Sequence, residues 1–343
     1  MKSADTPRAG VRKTYKLYVG GAFPRSESGY SYVVNDSKGN FVANAALASR
    51  KDARDAVVAA RKAFGGWSSR TAYNRAQIVY RIAEVLEDRR AQFIDLVQQG
   101  EGLTAARAGA VVDESVDRLV WYAGWADKIT QVTGSANPVA GPFFNISSPE
   151  PTGVVAIAAP QESSLLGLVS VLAPVIVTGN TAVLLSSYAR PLPAVNLAEV
   201  LATSDVPGGV VNILTGDWRG PLPWLASHMD VNALDLTGVA GEPDAAADLG
   251  ATAAENLKRV LRAPAAEEDW FTAPGIERMT TFLETKTVWH PGRDLTQARP
   301  TQKAPPDHRW GLSCLHPVRG RSAQDRSTPR RRRRSGRGSL RSH

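Results

Sequence analysis

The stretch Gly153-Val-Val-Ala-Ile-Ala-Ala159 decides the fold class, because none of its seven residues has a polar or charged side chain. A continuous apolar run of this kind predicts a strand buried on both faces, as in a parallel sheet. An apolar helix is predicted next, from Leu165 to Thr178, and it ends at Gly179-Asn180, a pair typical of helix C-termini. A buried strand that leads directly into a buried helix indicates a βαβ unit.

The alternation of strands and helices continues toward the C-terminus. Further strands are predicted at Thr181–Leu185, Val210–Leu214 and Val231–Leu236, and further helices at Ala194–Ala202 and Ala245–Leu261. This order predicts a doubly wound α/β fold with a parallel sheet and right-handed crossovers. Ligands of such sheets lie beyond the carboxyl ends of the strands, so a nucleotide is expected at the loops after Ala159, Leu185, Leu214 and Leu236.

The N-terminal third is predicted to serve packing. Residues 1–14 are polar and expected to be flexible, and Leu17–Phe23 suggests a short strand and turn. Ser49 and Asp52 have the spacing of a capping box that opens a helix. Two more amphipathic helices follow, and none of the three carries residues with an evident catalytic role.

The net charge of +8 belongs to the C-terminus. Of the 41 basic and 33 acidic side chains, residues 293–343 hold 14 and 3, which leaves 27 basic and 30 acidic ones in residues 1–292. The body is therefore mildly acidic, which argues against a nucleic-acid surface there. The tail, rich in Arg, Pro, Ser and Gly, is expected to be disordered.

The compartment is predicted from one cysteine and from the first residues. A single cysteine in 343 residues excludes an internal disulfide and fits a reducing compartment. No apolar segment typical of a secretory signal follows Met1. The longest apolar run, Leu165–Val177, contains Pro174 and is too short for a membrane span. We therefore expect a cytoplasmic protein without membrane contact.

Several ordered motifs resemble the aldehyde dehydrogenase family. They are Pro151-Thr-Gly-Val-Val-Ala-Ile-Ala-Ala-Pro160, Gly179-Asn-Thr-Ala-Val183, Val206-Pro-Gly-Gly-Val-Val-Asn-Ile-Leu-Thr-Gly216, Leu236-Thr-Gly238 and Glu255-Asn-Leu-Lys-Arg-Val260. The resemblance implies the coenzyme-binding domain of that family, and it implies NAD(P) contacts at Pro160, Ser187, Gly216, Thr237 and Gly238. We interpret these five contacts as vestigial, with the glycines serving strand–helix turns.

The departures from the family pattern argue against catalysis. Gln161-Glu162 replaces the Trp-Asn whose amide stabilises the oxyanion, and a carboxylate there would repel that charge. Leu185-Ser-Ser-Tyr188 replaces the Lys-Pro-Ser-Glu that holds the adenosine ribose. Val239-Ala-Gly-Glu-Pro243 places an acid where the family faces the pyrophosphate. Arg262-Ala-Pro-Ala265 replaces the segment with the general-base glutamate.

The nucleophile of the family is a cysteine thiolate, and Cys314 is this chain's one candidate. It lies in the Arg/Pro-rich tail with no evident group to activate it. Glu162 could be a novel acid or base, but a solvated carboxylate is the favoured interpretation. We therefore predict no catalytic residue. His228 and His290 are isolated and lack metal-ligand spacing, so no metal site is predicted either.

Phe282-Leu-Glu-Thr-Lys-Thr-Val-Trp289 resembles the family's C-terminal assembly strand, although only a short stretch separates it from the coenzyme-binding motifs. The predicted organisation is a flexible N-terminus (1–14), a coenzyme-binding domain (15–262) with bridging strands near 143–151, a linker replacing the catalytic domain (263–279), an assembly strand (280–291) and a disordered tail (292–343). The catalytic domain is then largely missing.

These patterns predict a non-catalytic member of the family that serves as a structural or regulatory subunit. The expected partner is a catalytic paralogue or a second copy of the chain, and no cofactor is expected beyond weak NAD(P) binding. The alternative is an NAD(P)-dependent oxidoreductase acting on aldehydes. Arg330–Arg334 could bind nucleic acid non-specifically. A reading-frame shift near Pro291 is the favoured explanation of the tail, because the family-like sequence stops there.

Overall fold

The structure, a computed structural model, describes residues 12–292. The predicted tail beyond Gly292, with Cys314 and Arg330–Arg334, and most of the predicted flexible N-terminus lie outside the described residues. Thr14 belongs to a short strand that pairs with Asn44, so the predicted flexible segment is ordered at its last residue. Among residues 12–292, no helix is both long enough and apolar enough to cross a bilayer.

The N-terminal part consists of a small sheet and a group of helices. Its elements are β1 (Thr14–Tyr15), β2 (Ser31–Asn35), β3 (Phe41–Ala46), α1 (Arg50–Ser68), α2 (Ala72–Asp88), α3 (Arg90–Glu101), α4 (Ala105–Trp125) and α5 (Ile129–Thr133). The capping box at the start of α1 is present as predicted, with Ser49 and Asp52 bonded to each other's backbone amides. The Leu17–Phe23 segment forms a turn closed by a bridge between Val19 and Ala22, not a regular strand.

The remaining elements form a central domain and a C-terminal extension. They are β4 (Ser135–Asn137), β5 (Phe143–Pro151), β6 (Val154–Ala158), α6 (Leu166–Val177), β7 (Thr181–Leu185), α7 (Leu192–Ala202), β8 (Val211–Leu214), α8 (Leu222–Ser227), β9 (Ala233–Asp235), α9 (Pro243–Ala254), β10 (Arg259–Leu261), α10 (Glu277–Thr281) and β11 (Leu283–Pro291). A short 3-10 turn, Thr237–Val239, follows β9.

The central sheet has five strands in the order β10-β9-β6-β7-β8, and every pairing is parallel. Both faces are covered. Val155 and Ile157 of β6 pack into one apolar cluster with α2, α4, α6 and α7, whereas Val154 and Ala156 pack into a second cluster with α1, α8 and α9. The predicted doubly wound α/β fold is therefore confirmed.

The predicted helix Ala245–Leu261 is wrong in its second half. Helix α9 ends at Ala254, and Leu257 adopts a left-handed backbone with φ of 54°. Arg259–Leu261 then forms β10, which pairs with β9. The prediction failed because an apolar run as short as Val260-Leu261 fits either a helix end or an edge strand. Its pairing with β9, which the sequence does not show, makes it a strand.

A second sheet, in the order β11-β5-β4, is antiparallel. Strand β11 pairs with β5 over nine residues, from Leu283 opposite Pro151 to Pro291 opposite Phe143. Asn180, fully buried, donates from its side chain to the Phe282 carbonyl at 2.9 Å and accepts from the Gly153 amide at 2.8 Å. This side chain joins the start of β11 to the start of β6.

Candidate functional site

The five predicted cofactor contacts lie at one edge of the central sheet. Pro160 follows β6, Ser187 follows β7, Gly216 follows β8, and Thr237 and Gly238 follow β9. These four strands are neighbours in the sheet, so their carboxyl ends meet at the same edge. This is the edge at which doubly wound folds bind their ligands.

The loops after β6 and β7 are bonded to each other through Gln161. The Ser187 hydroxyl donates to the Gln161 carbonyl at 2.7 Å, and the Tyr188 amide donates to the Gln161 side-chain oxygen at 3.1 Å. The side-chain amide nitrogen of Gln161 (Nε2) donates in turn to the Ala159 carbonyl at 2.7 Å. The hydroxyl of Ser187 is therefore already used inside the chain.

Arg190 pairs with Glu162, the residue that the resemblance matches to the family's oxyanion-stabilising amide. The Arg190 guanidinium donates to the Glu162 carboxylate and to the carbonyls of Gln161 and Glu162, the latter two at 3.2 and 3.0 Å. The Glu162 side chain is 71% exposed. It is thus a solvated, ion-paired carboxylate, in keeping with the favoured interpretation of this residue.

Two aromatic side chains stack beside the loop that contains Gly216. The rings of Tyr32 and Tyr188 have centroids 4.8 Å apart and planes inclined by 19°. Burial raises the pKa of Tyr32, and the neighbouring Tyr188 adds to that effect. Tyr188 replaces the glutamate that the resemblance places at the ribose, so this part of the edge carries a neutral aromatic pair.

Arg219 connects the loops after β8 and β9. Its guanidinium pairs with Asp217 at 3.3 Å and with Glu242, the residue before helix α9. Glu242 lies in the segment that the resemblance matches to the family's pyrophosphate-facing turn. The acid at this position is thus paired with an arginine of the same chain, an arrangement that the sequence patterns did not predict.

Thr237 takes part in a buried network below the loop after β9. Its amide donates to the Asp235 carboxylate at 2.9 Å, and its hydroxyl bonds to the same carboxylate. Arg278 donates to the Thr237 hydroxyl at 3.0 Å and to Asp235 at 3.4 Å. Asp235 is fully buried, and burial raises the pKa of its carboxyl group while Arg278 lowers it.

The Asp235 network predicts a pH dependence. Because the folded-state pKa is raised, the contribution of Asp235 to stability is fully present below the unfolded value of 3.8 and is lost as pH rises through the folded pKa. The free energy of unfolding of the wild type, relative to Asp235→Asn, should therefore fall as pH rises above 3.8. Urea unfolding of both proteins across a pH series measures this difference, and a difference independent of pH would contradict the prediction.

The linker, residues 263–279, packs against the carboxyl edge of the sheet. The Glu267 carboxylate accepts from the Glu162 and Ser163 amides at 3.0 and 2.9 Å. Arg118, buried on α4, donates to the Trp270 and Thr272 carbonyls at 2.8 and 3.1 Å. A cavity of about 320 Å³ lies between the linker, α4 and α6, lined among others by Arg118, Tyr122 and Arg278. Burial raises the pKa of Tyr122 to about 12.

The comparisons with known proteins decide the family. The profile of the aldehyde dehydrogenase family matches residues 23–267. The chain belongs to the aldehyde dehydrogenase family. It is 31% identical over 255 residues to a putative aldehyde dehydrogenase, DhaS, of Bacillus subtilis strain 168, covering 73% of this chain and 50% of that protein. It is 32% identical over 259 residues to human mitochondrial 10-formyltetrahydrofolate dehydrogenase, covering 73% of this chain and 27% of that protein.

Solved structures share the fold. HpcC of Thermus thermophilus superposes with a TM-score of 0.68 at 27% identity, covering 72% of this chain and 47% of that one. The NAD+ complex of an aldehyde dehydrogenase from Bacillus cereus gives 0.68 at 25% identity, covering 72% and 50%. The chain spans about half the length of these relatives or less. The catalytic domain of an aldehyde dehydrogenase is therefore largely missing from it.

Within residues 12–292, the aldehyde dehydrogenase domain brings all five predicted cofactor positions to one edge of the sheet and engages the side chains of two of them, Ser187 and Thr237, in hydrogen bonds of its own. Acids and arginines that the five predicted positions do not include also lie at or beside this edge: Glu162, Asp217, Asp235, Glu242, Glu267, Arg190, Arg219 and Arg278. No group of three or more His, Cys, Asp or Glu side chains suited to a metal ion is found in this part of the chain.

Proposed function

We propose that this chain is a non-catalytic aldehyde dehydrogenase-family protein that acts as a structural or regulatory subunit. Its partner would be a catalytic paralogue or a second copy of itself. The observation that carries the proposal is the β11-β5-β4 sheet, which presents apolar side chains to solvent. Phe144 is 68% exposed, Trp289 57% and Ile146 47%.

The free edge of β11 supports association. In the order β11-β5-β4, the nine-residue strand β11 has a strand neighbour on one side only among residues 12–292. A long strand with unpaired amides and carbonyls is a template for pairing with another chain. The pairing between β11 and β5 is itself reinforced by a 2.9 Å hydrogen bond between Ser147 and Thr287. The edge is thus held in an extended form that a partner strand could join.

The apolar side chains give that contact a driving force. Phe144 and Ile146 lie on one face of β5, beside Val288 of β11. Phe143 and Trp289 lie on the other face, with ring centroids 5.8 Å apart. Burial of such side chains contributes roughly 25 cal/mol for each Å² removed from water. Aromatic residues at an interface centre commonly carry much of the binding energy.

The site positions support the non-catalytic part of the proposal. Gln161-Glu162 and Arg262-Ala-Pro-Ala265 stand where the family has its oxyanion donor and its general base. The carboxylate of Glu162 is paired with Arg190. The proposed compartment is the cytoplasm, which the single cysteine supports.

Ile146→Lys tests the association. The wild type should elute and sediment as a dimer or larger assembly at micromolar concentration, or with a catalytic relative. Ile146→Lys should dissociate it, because a buried unpaired ammonium would be left at the contact. Val58→Lys is the matched control, since Val58 is also an exposed apolar residue (58%) but lies on α1. A wild type that remains monomeric alone and with catalytic relatives would contradict the proposal.

Family membership favours one alternative, an NAD(P)-dependent oxidoreductase that acts on aldehydes. Formation of NADH from NAD+ with a panel of short aldehydes tests it directly. Turnover that Cys314→Ala removes would establish the alternative and exclude a purely structural role.

A further inference from the structure

The linker contributes a carboxylate where the sheet would offer amides to a ligand. Glu162 and Ser163 closely follow the central strand β6 and its Pro160, and their backbone amides point at the two oxygens of Glu267. Successive backbone amides at the end of a strand are a common way to hold an anionic ligand. Here the chain supplies that anion itself, from a residue 105 positions away in sequence from Glu162.

A second contact reaches the neighbouring strand. Arg278 donates to the hydroxyl of Thr237, one of the five predicted cofactor contacts, and pairs with Asp235 and with Glu268 of the linker. Strands β6 and β9 are adjacent in the sheet. The two contacts therefore cover the middle of the carboxyl edge from both ends of the linker.

The linker is fixed from its other side by the body of the domain. The side chain of Arg118 is 4% exposed and bonds to two linker carbonyls as well as to Ser170 and Glu114. Trp270 and Met279 are buried in the main apolar cluster. The ring of Trp270 also lies 5.2 Å from the Arg278 guanidinium carbon. These contacts hold the linker in one defined position.

Part of the same segment is irregular and exposed to solvent. Between Ala263 and Ile276 it contains no helix or strand, and the side chains of Glu268 and Asp269 are exposed. Segments with few buried apolar contacts open at a lower free energy than the core around them. The polar contacts of Glu267 and Arg278 thus act together with the burial of Trp270 and Met279 to keep the edge covered.

We propose that the linker is an internal occupant of the coenzyme edge, an autoinhibitory strap that must leave before a dinucleotide can enter. The linker and a dinucleotide would compete for the amides after β6 and for Thr237. Release of the linker would expose both. This proposal is independent of strand association, because it concerns contacts within a single chain that do not involve the outer sheet.

Glu267→Ala tests the proposal, with Asp269→Asn as the control. Asp269 is a nearby, exposed acid of the same linker, and its side chain bonds only within the linker, to the Phe271 amide at 3.0 Å. Asparagine removes the same charge there and can still accept that bond.

Two readouts are expected to change in Glu267→Ala and not in the control. Hydrogen–deuterium exchange at the amides of Glu162 and Ser163 should accelerate about tenfold or more, because their acceptor is gone and the linker opens more often. Titration with NADH, followed by its fluorescence, should show an affinity about tenfold higher than in the wild type. The reason is that the form with the linker released, which can bind the dinucleotide, becomes more populated.

The outcomes separate clearly. Equal exchange in the wild type and Glu267→Ala would overturn the proposal, and so would faster exchange without a gain in NADH affinity. Equal gains in the Asp269→Asn control would also overturn it, since charge alone would then explain them. If Glu267→Ala fails to fold, Glu267→Gln preserves the side-chain shape and weakens the charge-assisted bonds, so the same two readouts apply. None of these measurements depends on oligomeric state, so failure here leaves the subunit proposal to its own test.

Discussion

Gly238→Ala is expected to destabilise the protein by about 1–3 kcal/mol or more, because the new methyl group has no room. A Cβ at this position would lie 2.0 Å from the carbonyl oxygen of Ala159 and 2.7 Å from that of Ala158. Both oxygens belong to the backbone at the end of β6, which is fixed by pairing on two sides. The clash can be relieved only by moving the turn after β9 away from the sheet. Urea unfolding followed by circular dichroism measures the loss.

Gly250→Ala provides the comparison. Gly250 lies inside α9, and a Cβ there would meet no atom within 4 Å. Alanine should stabilise the helix by about 0.5–1 kcal/mol relative to glycine. A Gly238→Ala protein as stable as the wild type would show that the turn is not closely packed. Gly238 would then have no packing role, and contact with a cofactor would be its one remaining predicted role.

Phe282→Ala should cost about 3–5 kcal/mol of unfolding free energy, the range for large-to-small changes at buried aromatic residues. Phe282 is fully buried in the main cluster, directly before β11. Its carbonyl accepts hydrogen bonds from the Asn180 side chain and the Thr152 amide. Loss of the ring leaves a cavity where the linker ends and the outer sheet begins. Thermal and urea unfolding would both report the change.

Phe144→Ala is the matched aromatic substitution at an exposed position of the adjoining sheet. It should change the stability of the monomer by less than about 0.5 kcal/mol, since surface substitutions away from special contacts have small effects. Equal losses in the two variants would mean that Phe144 is buried in solution by a partner. Equal and negligible losses would show instead that Phe282 does not anchor the linker.

The apolar run Gly153–Ala159 and the strand–helix alternation predicted the sheet correctly, because burial on both faces leaves a local pattern in the sequence. The capping box at Ser49 was found for the same reason, since its partner Asp52 lies in the first turn of the same helix. The end of α9 was predicted wrongly. Leu257 turns into a left-handed conformation there, and the residues after it pair with the earlier strand β9.

The residues that close the candidate site were missed for a physical reason. Arg278 meets Asp235 across 43 positions, Glu267 meets Glu162 across 105, and Arg118 meets Trp270 across 152. A charged residue in a polar segment is usually solvated. The neighbouring sequence therefore does not show which charged residues bond to a distant segment. The family motifs also gave no signal, because none of the quoted motifs extends beyond Val260 to Glu267 or Arg278.

The sequence by itself determined the family and the parallel sheet, since each depends on residue type within short stretches. Only the tertiary structure decided that the linker lies on the carboxyl edge and that Arg190, Arg219 and Arg278 neutralise the acids there. Such pairs form only after folding has brought distant segments together. They depend on the distance between the groups and on their burial, and neither produces a repeating pattern in the sequence.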